Sequence, residues 1–304
     1  MKFKAEYLLA KGLSEAAVRK LECLYKGDMV EIYQVAPTIY FRKADLKVRG
    51  QCNSIFIEGN NSIALVDPST QEAAHEISTE LALLFKKPLG YVFLTHAHKD
   101  HAAGLPVFLD KQVVVFCSNK LVKEYASMEK KATIVGIENK AGIDLGGVSI
   151  ELLVLGDTAH SPWDMLIGVQ EEKILCTGDF VVEYPALFFH YAYPEQWETH
   201  LRELSQYSYE FILPGHGGMM PFSVTGELAD YLRTLRFAAR YCLDSSVPGE
   251  KAGIDLSYEE LSEMACDFLA GSTLEAGIIK EKAGGDAMRE LRMMMRLLHF
   301  RGIF

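Results

Sequence analysis

Several features are missing from this sequence, and each absence removes a class of protein. The six cysteines, Cys23, Cys52, Cys117, Cys176, Cys242 and Cys266, form no Cys-x-x-Cys pair. Neither a disulfide framework nor a cysteine zinc site is expected. Free buried cysteines suit a reducing compartment, so a cytoplasmic protein is expected. No apolar run approaches the roughly 18 residues of a membrane span. The start, Met1-Lys2-Phe3-Lys4-Ala5-Glu6-Tyr7, lacks the apolar stretch and cleavage site of a secretory signal. A membrane partner is not expected. Positive charge is in deficit: 31 Lys+Arg against 41 Asp+Glu leave a net charge of −10. Phosphate contacts need clustered Lys and Arg, so nucleic acid is not expected as a partner. No Ser stands in a Gly-x-Ser-x-Gly elbow, which removes the common serine-hydrolase signature. Short repeats and low-complexity segments are lacking too.

What is present suits a globular protein. A chain of 304 residues with 49% hydrophobic residues can bury about three quarters of its unfolded surface. The spacing predicts a helix over Leu13–Tyr25, then strands at Val30–Val35, Thr38–Arg42, Ser54–Glu58 and Ser62–Asp67. Gly59-Asn60-Asn61 marks a hairpin between the last two. Thr70–Phe85 reads as a helix closed by Pro88. Strands follow at Tyr91–Thr95, Val113–Phe116, Ala132–Ile137, Val148–Leu155, Met165–Val169, Lys173–Thr177 and Phe211–Leu213, with a helix at Lys120–Ser127. Beyond about Thr225 only helices are read: Glu227–Leu243, Ser257–Leu269 and Asp286–Arg301. The composition shift near residue 222 suggests three parts: an N-terminal helical segment (1–27), a strand-rich domain (28–222) and a helical extension (223–304).

The strongest signal is Thr95-His96-Ala97-His98-Lys99-Asp100-His101, directly after a strand. His-x-His-x-Asp-His arises by chance in roughly 4 of 10,000 chains of this length and composition. At a strand end, His96 and His98 point to one side and can chelate one ion. Asp100 and His101, a turn later, can aim at a second. Imidazole with carboxylate suits zinc, iron or manganese rather than calcium. Further potential ligands sit just past strand ends: His160 in Gly156-Asp157-Thr158-Ala159-His160, Asp179 in Gly178-Asp179, and His216 in Pro214-Gly215-His216-Gly217. Strand C-terminal ends are where α/β architectures gather ligands.

This order of motifs resembles the metallo-β-lactamase superfamily over roughly residues 28–222. The resemblance implies an α/β fold, a four-layer αββα sandwich, here with a C-terminal helical appendage. It implies two divalent transition-metal ions, zinc first, with iron or manganese as alternatives. His96, His98 and His160 correspond to the ligands of the first ion. Asp100, His101 and His216 correspond to those of the second, and Asp179 to the bridging carboxylate. The turn at the third His departs from the family's Gly-His-Thr-x-Gly: Ala159-His160-Ser161-Pro162-Trp163 keeps the ligand but makes the wall bulkier.

Two such ions hold a bridging water and lower its pKa toward ~7, so a metal-bridging hydroxide is the expected nucleophile. Asp100 is its expected orienting base. A small thioester, lactone or other ester is the leading substrate class. The helical extension resembles those of the glyoxalase II type and of quinolone-signal-response thioesterases. The alternatives are a mononuclear-iron sulfur dioxygenase, a phosphodiesterase, and a regulatory protein with a secondary metal site. Tyr184–Pro194 carries five aromatics and His190 directly after Asp179, and reads as a pocket wall. His190, Tyr191 and Tyr193 are its candidate substrate-binding residues. The expected partner is a small-molecule substrate, with a homodimer as one candidate assembly that the sequence leaves open.

Overall fold

The computed structural model describes residues 22–27, 29–45, 50–110, 112–128, 131–156, 159–182 and 192–244, with 291, 293–295 and 298. An antiparallel meander opens it: β1 (Glu22–Lys26), β2 (Val30–Ala36), β3 (Ile39–Ala44), β4 (Ser54–Glu58) and β5 (Ile63–Val66). The turn between β4 and β5 closes as its Gly and Asn residues predict, with Gly59 N–H donating to the Ser62 carbonyl at 3.0 Å. Helix α1 (Gln71–Leu84) follows, and the Thr70 side chain caps it by accepting from Ala73 N–H. Ala74, Ile77 and Leu81 recur at helical spacing and are buried. The chain then alternates β6 (Leu89–Phe93), α2 (Lys99–Ala102), β7 (Val114–Ser118), α3 (Val122–Tyr125) and β8 (Thr133–Ile137). These eight strands form one sheet in sequence order, parallel from β5 onward.

A second, six-stranded sheet holds β9 (Lys140–Asp144), β10 (Ser149–Val154), β11 (Met165–Val169), β12 (Ile174–Gly178), β13 (Phe211–Pro214) and β14 (Met220–Pro221). Helix α4 (Pro194–Glu203) lies between β12 and β13 in sequence, and α5 (Val224–Asp244) follows β14. The two sheets face each other across one core. Ile39, Phe41, Ile55 and Ile57 of the first pack with Ile150, Leu152, Ile167 and Ile174 of the second. A second core joins α1 to the outer face of the first sheet through Phe56, Leu65, Ile77, Leu81 and Val92. Period-two alternation on β3 and β4 sends Ile39, Phe41, Ile55 and Ile57 to the inter-sheet core. The expected α/β fold with two packed sheets is the architecture observed.

Glu22–Lys26 is a strand, and not the end of the expected helix over 13–25. Its backbone pairs with β2, Cys23 opposite Tyr33. Pairing satisfies a sheet edge that a helix would leave open. Residues 13–21 lie outside the described residues. β9 went unread because Lys140–Asp144 is polar and half exposed. Register against β10 makes it a strand, Ala141 opposite Leu152.

By compactness the chain divides into Met1–Glu183 with Gln206–Val224, and Tyr184–Ser205 with Thr225–Phe304. The first unit holds both sheets. Within the second, Arg236 ties α5 to Glu195 and Glu198 of α4, and Arg202 meets Asp230 at 2.8 Å. Leu291, Met294, Met295 and Leu298 are buried, as plain core residues would be. The expected helix over 257–269, and the remainder of 286–301, lie outside the described residues. No described helix is long and apolar enough to cross a membrane.

Candidate metal centre

The strand ends bring all seven sequence-predicted ligands together. β6 runs into Thr95 and the His96–His98 loop, and α2 follows with Asp100 and His101. His160 lies between β10 and β11, Asp179 directly after β12, and His216 directly after β13. Their donor atoms form two groups that share Asp179: His96, His98, His160 and Asp179, and Asp100, His101, Asp179 and His216. Within each group the atoms lie within 4.8 Å of one another.

In the first group, His98 Nδ1 stands 3.0 Å from His96 Nε2 and 3.1 Å from His160 Nε2. His160 Nε2 is 3.6 Å from Asp179 Oδ2. In the second, His101 Nε2 is 3.2 Å from Asp179 Oδ1, and His216 Nε2 is 3.1 Å from Asp100 Oδ2. Tetrahedral zinc with bonds near 2.0–2.1 Å sets its donors roughly 3.3 Å apart. The side chains thus sit at spacings that a shared cation requires. A further observation points the same way. His101 Nε2 and Asp179 Oδ1 are buried and 3.2 Å apart, yet among the described residues neither meets any group in hydrogen-bond geometry. Buried polar atoms without hydrogen bonds are costly, and a metal ion would satisfy both. The donor set of imidazoles and carboxylates fits a divalent transition metal.

The electrostatics follow from burial and crowding. Burial pushes His160 down to about 4, so its imidazole is neutral and ready to act as a ligand. Burial, with the neighbouring His101, also holds His96 well below the ordinary histidine range. Burial opposes ionisation of Asp179, but His101 and His216 outweigh it and hold the carboxyl well below its usual range. Asp100 is lowered as well: burial acts against this, and the His216 hydrogen bond prevails. His101 shifts the other way. Burial disfavours its charge, but Cys52, Asp179 and Asp67 together raise it well above the usual value.

Asp67, which the sequence reading passed over, holds the centre from beneath. Its carboxylate accepts from Thr95 N–H at 2.8 Å and from Thr95 Oγ1 at 2.7 Å, and contacts His101 Nδ1 at 2.8 Å. That contact leaves His101 Nε2 facing the cluster, the usual carboxylate–histidine support of a metal ligand. Thr95 Oγ1 also stands 3.0 Å from His96 Nδ1. Asp67 itself takes φ +53° and Ser69 φ +61°, left-handed conformations that non-glycine residues rarely adopt. The only sequence signal was a carboxylate at a strand end before Pro68. The paired motifs also explain their glycines. At Gly178, φ is +51° and a Cβ would strike Thr95 Oγ1. At Gly215 it would strike Asp179 and His101.

The turn carrying His160 is closed locally. Asp164 accepts from Ser161 N–H at 2.9 Å and from Ser161 Oγ. Met165 N–H reaches the Thr95 carbonyl at 2.7 Å, tying the turn to the His96 loop. Trp163 stands at φ +72° and packs against the core outside the first sheet. Among the candidate substrate residues, Tyr193 is exposed, and its carbonyl accepts from Trp197 N–H at the start of α4. His190 and Tyr191 lie outside the described residues.

Comparisons with known proteins complete the description. The sequence pattern of the metallo-beta-lactamase superfamily matches residues 48–216. Among solved structures, a metallo-beta-lactamase from Pontibacter korlensis superposes with a TM-score of 0.58 at 19% identity, covering 67% of this chain and 99% of that one. The DIM-1 metallo-beta-lactamase gives 0.55 at 22% identity, covering 67% and 99%. Curated relatives match over shorter stretches. The putative transcription factor avaE of Aspergillus versicolor is 26% identical over 134 residues, 38% of this chain and 39% of that protein. Ribonuclease J 1 of Streptococcus pyogenes serotype M3 is 24% identical over 98 residues, 30% and 18% respectively. The chain thus matches well under half the length of either curated relative.

Proposed function

The chain belongs to the metallo-beta-lactamase superfamily, and from that premise we propose a hydrolase that uses two divalent transition-metal ions, zinc first, on a small thioester, lactone or other ester. The carrying observation is the convergence of seven side chains from four strand ends into two groups that share one carboxylate. His96, His98, His160 and Asp179 would hold one ion, and Asp100, His101, His216 and Asp179 the other. Bound there, the ions supply Lewis acidity and lower the pKa of a shared water.

The chain's own residues do the rest. Asp100 stays ionised at neutral pH and sits at the edge of the cluster, 29% exposed. It orients the attacking water and takes its proton. Asp67 and Thr95 hold His101 and His96 in place. His190, Tyr191 or Tyr193, the candidate substrate-binding residues, would donate a hydrogen bond to the developing oxyanion. The same reading carries a cytoplasmic protein acting on a small molecule, with a homodimer as one candidate assembly.

The similarity to ribonuclease J 1 favours a second reading, phosphodiester hydrolysis. The net charge of −10 argues against a polyanionic substrate. Elemental analysis of the purified protein, with a panel of thioesters, lactones and phosphodiesters, tests both. About two zinc, iron or manganese ions per chain with thioester or lactone turnover is the expected result. Turnover of phosphodiesters alone selects the second reading. A metal-free protein under full metal supply, or iron-dependent oxygen uptake without hydrolysis, overturns both.

A further inference from the structure

An open pocket of about 510 Å³ leads to Asp100, a candidate ligand of the second metal group. Its volume lies within the range of small-molecule sites. Thr70, Gln71 and Glu72, at the cap and first turn of α1, line it together with Lys99 and Asp100 of α2. Gly50 also borders it, at φ +82° with open space where a Cβ would stand. Lys99 lies between His98 and Asp100, so the loop that sets the metal ligands also sets the base of its ammonium group.

Charge distinguishes this pocket. Lys99 and Glu72 are both exposed and carry opposite charges, but no ion pair within 4.0 Å links them. Among the described residues, neither of them has another hydrogen-bonding or ionic partner. Asp100 does: it contacts His216 and His101. Among the described residues, then, one cation and one anion without partners line a space large enough for a small molecule, and the candidate catalytic residue Asp100 borders it too. A purely anionic group would meet Glu72 as well as Lys99, and a purely cationic one would meet Lys99. A group bearing both charges satisfies each.

We propose that this pocket is a subsite for an amino-acid-like headgroup, its carboxylate on Lys99 and its ammonium on Glu72. The substrate is then an ester or thioester whose acyl or leaving group bears an α-ammonium carboxylate. The reaction rests on the hydrolase reading above, but the binding does not.

Binding is tested by nuclear magnetic resonance titration of the metal-loaded protein with norleucine, hexanoate and pentylamine, which share a chain and differ in charge. Norleucine is expected to bind about three- to fivefold more tightly than either singly charged probe, the scale of one exposed ion pair. Lys99→Met and Glu72→Gln should each erase that preference at unchanged metal content. The exchange Lys99→Glu with Glu72→Lys should restore it. Equal binding of the three probes overturns the proposal. So does a norleucine preference that survives both single substitutions, because chelation by the metal alone would then explain it. Turnover separates the two readings. The acetyl thioesters of 2-amino-6-mercaptohexanoate and of hexanethiol are compared by kcat/KM. Norleucine binding that depends on Lys99 and Glu72, with neither thioester cleaved, retains the subsite and sinks the hydrolase. Cleavage of both at equal kcat/KM, without selective binding, retains the hydrolase and sinks the subsite.

Discussion

The two ligand groups that share Asp179 are built differently. The first is rich in nitrogen: three imidazoles meet at His98, with contacts of 3.0 and 3.1 Å, and only Asp179 adds oxygen. His96 and His160 are almost fully buried. The second is rich in oxygen: Asp100 and Asp179 flank His101 and His216. Asp100 and His216 remain 29% and 22% exposed, and Asp100 opens onto a pocket. Only His101 is deeply buried there, and a carboxylate, Asp67, backs it. On the proposed two-metal reading, donor softness and burial would both make the first group the tighter site. The second is the more open and the more acidic of the two.

The largest expected effect abolishes this contrast. Asp179→Ala removes the shared carboxylate, so both groups should loosen. Metal content should fall to one ion per chain or fewer, and activity should drop further than for any other single substitution. Elemental analysis after dialysis reads it, and retention of two ions would show that the groups are independent. Asp100→Asn sharpens the contrast instead. It should keep the first ion while lowering turnover by about 10²- to 10⁴-fold, the range of a lost general base. Full turnover with metal bound would remove Asp100 from its role.

Asp67→Asn touches neither ligand group directly. It should weaken the second ion by about 10- to 100-fold, as support residues do, and leave the first ion's affinity unchanged in a competitive chelator titration. Equal weakening of both ions would mean that Asp67 holds the whole loop rather than His101.

The metal-free protein adds a pH test. His160 falls to about 4 through burial, and His96 is lowered in the same way. Between pH 4 and about 6.5 the unfolded chain therefore binds more protons at these sites than the folded chain. The part of the stability set by His96 and His160 should rise with pH across that window, while Asp164, raised by burial to about 7, acts in the opposite sense. His101, raised above its usual value, acts outside that window, where its contribution fades as pH rises past 6.5. Urea midpoints measured from pH 4 to 7 check the slope, and His160→Gln should flatten it. The smallest effect is expected at Tyr193. Tyr193→Phe should raise KM or lower kcat by a few-fold at constant metal content, and unchanged kinetics would leave Tyr193 a structural residue at the start of α4.

Much of the centre was legible because its residues are local in sequence. His96, His98, Asp100 and His101 lie within six positions after one strand. His160, Asp179 and His216 each follow a strand end, so a reading of strands and their last residues finds all seven. β1 was misread because the pattern of Leu13–Tyr25 suits a helix, whereas pairing with β2 decides Glu22–Lys26. Arg42 shows the same limit in the core. Its guanidinium is fully buried against Glu80 at 2.6 Å, and nothing in the strand's own pattern announces a buried ion pair with a helix 38 positions away.

Periodicity and short-range spacing suffice to name strands, helices and the donor atoms at strand ends, because those properties depend on neighbours a few residues apart. The support beneath the metals is of another kind. Asp67 reaches Thr95 and His101 across 28 and 34 positions, and Lys99 and Glu72 share a pocket across 27. Such contacts exist only once the sheets have packed and brought distant strand ends to one edge. Their strength comes from the burial and fixed geometry that packing provides, which no local run of residues encodes.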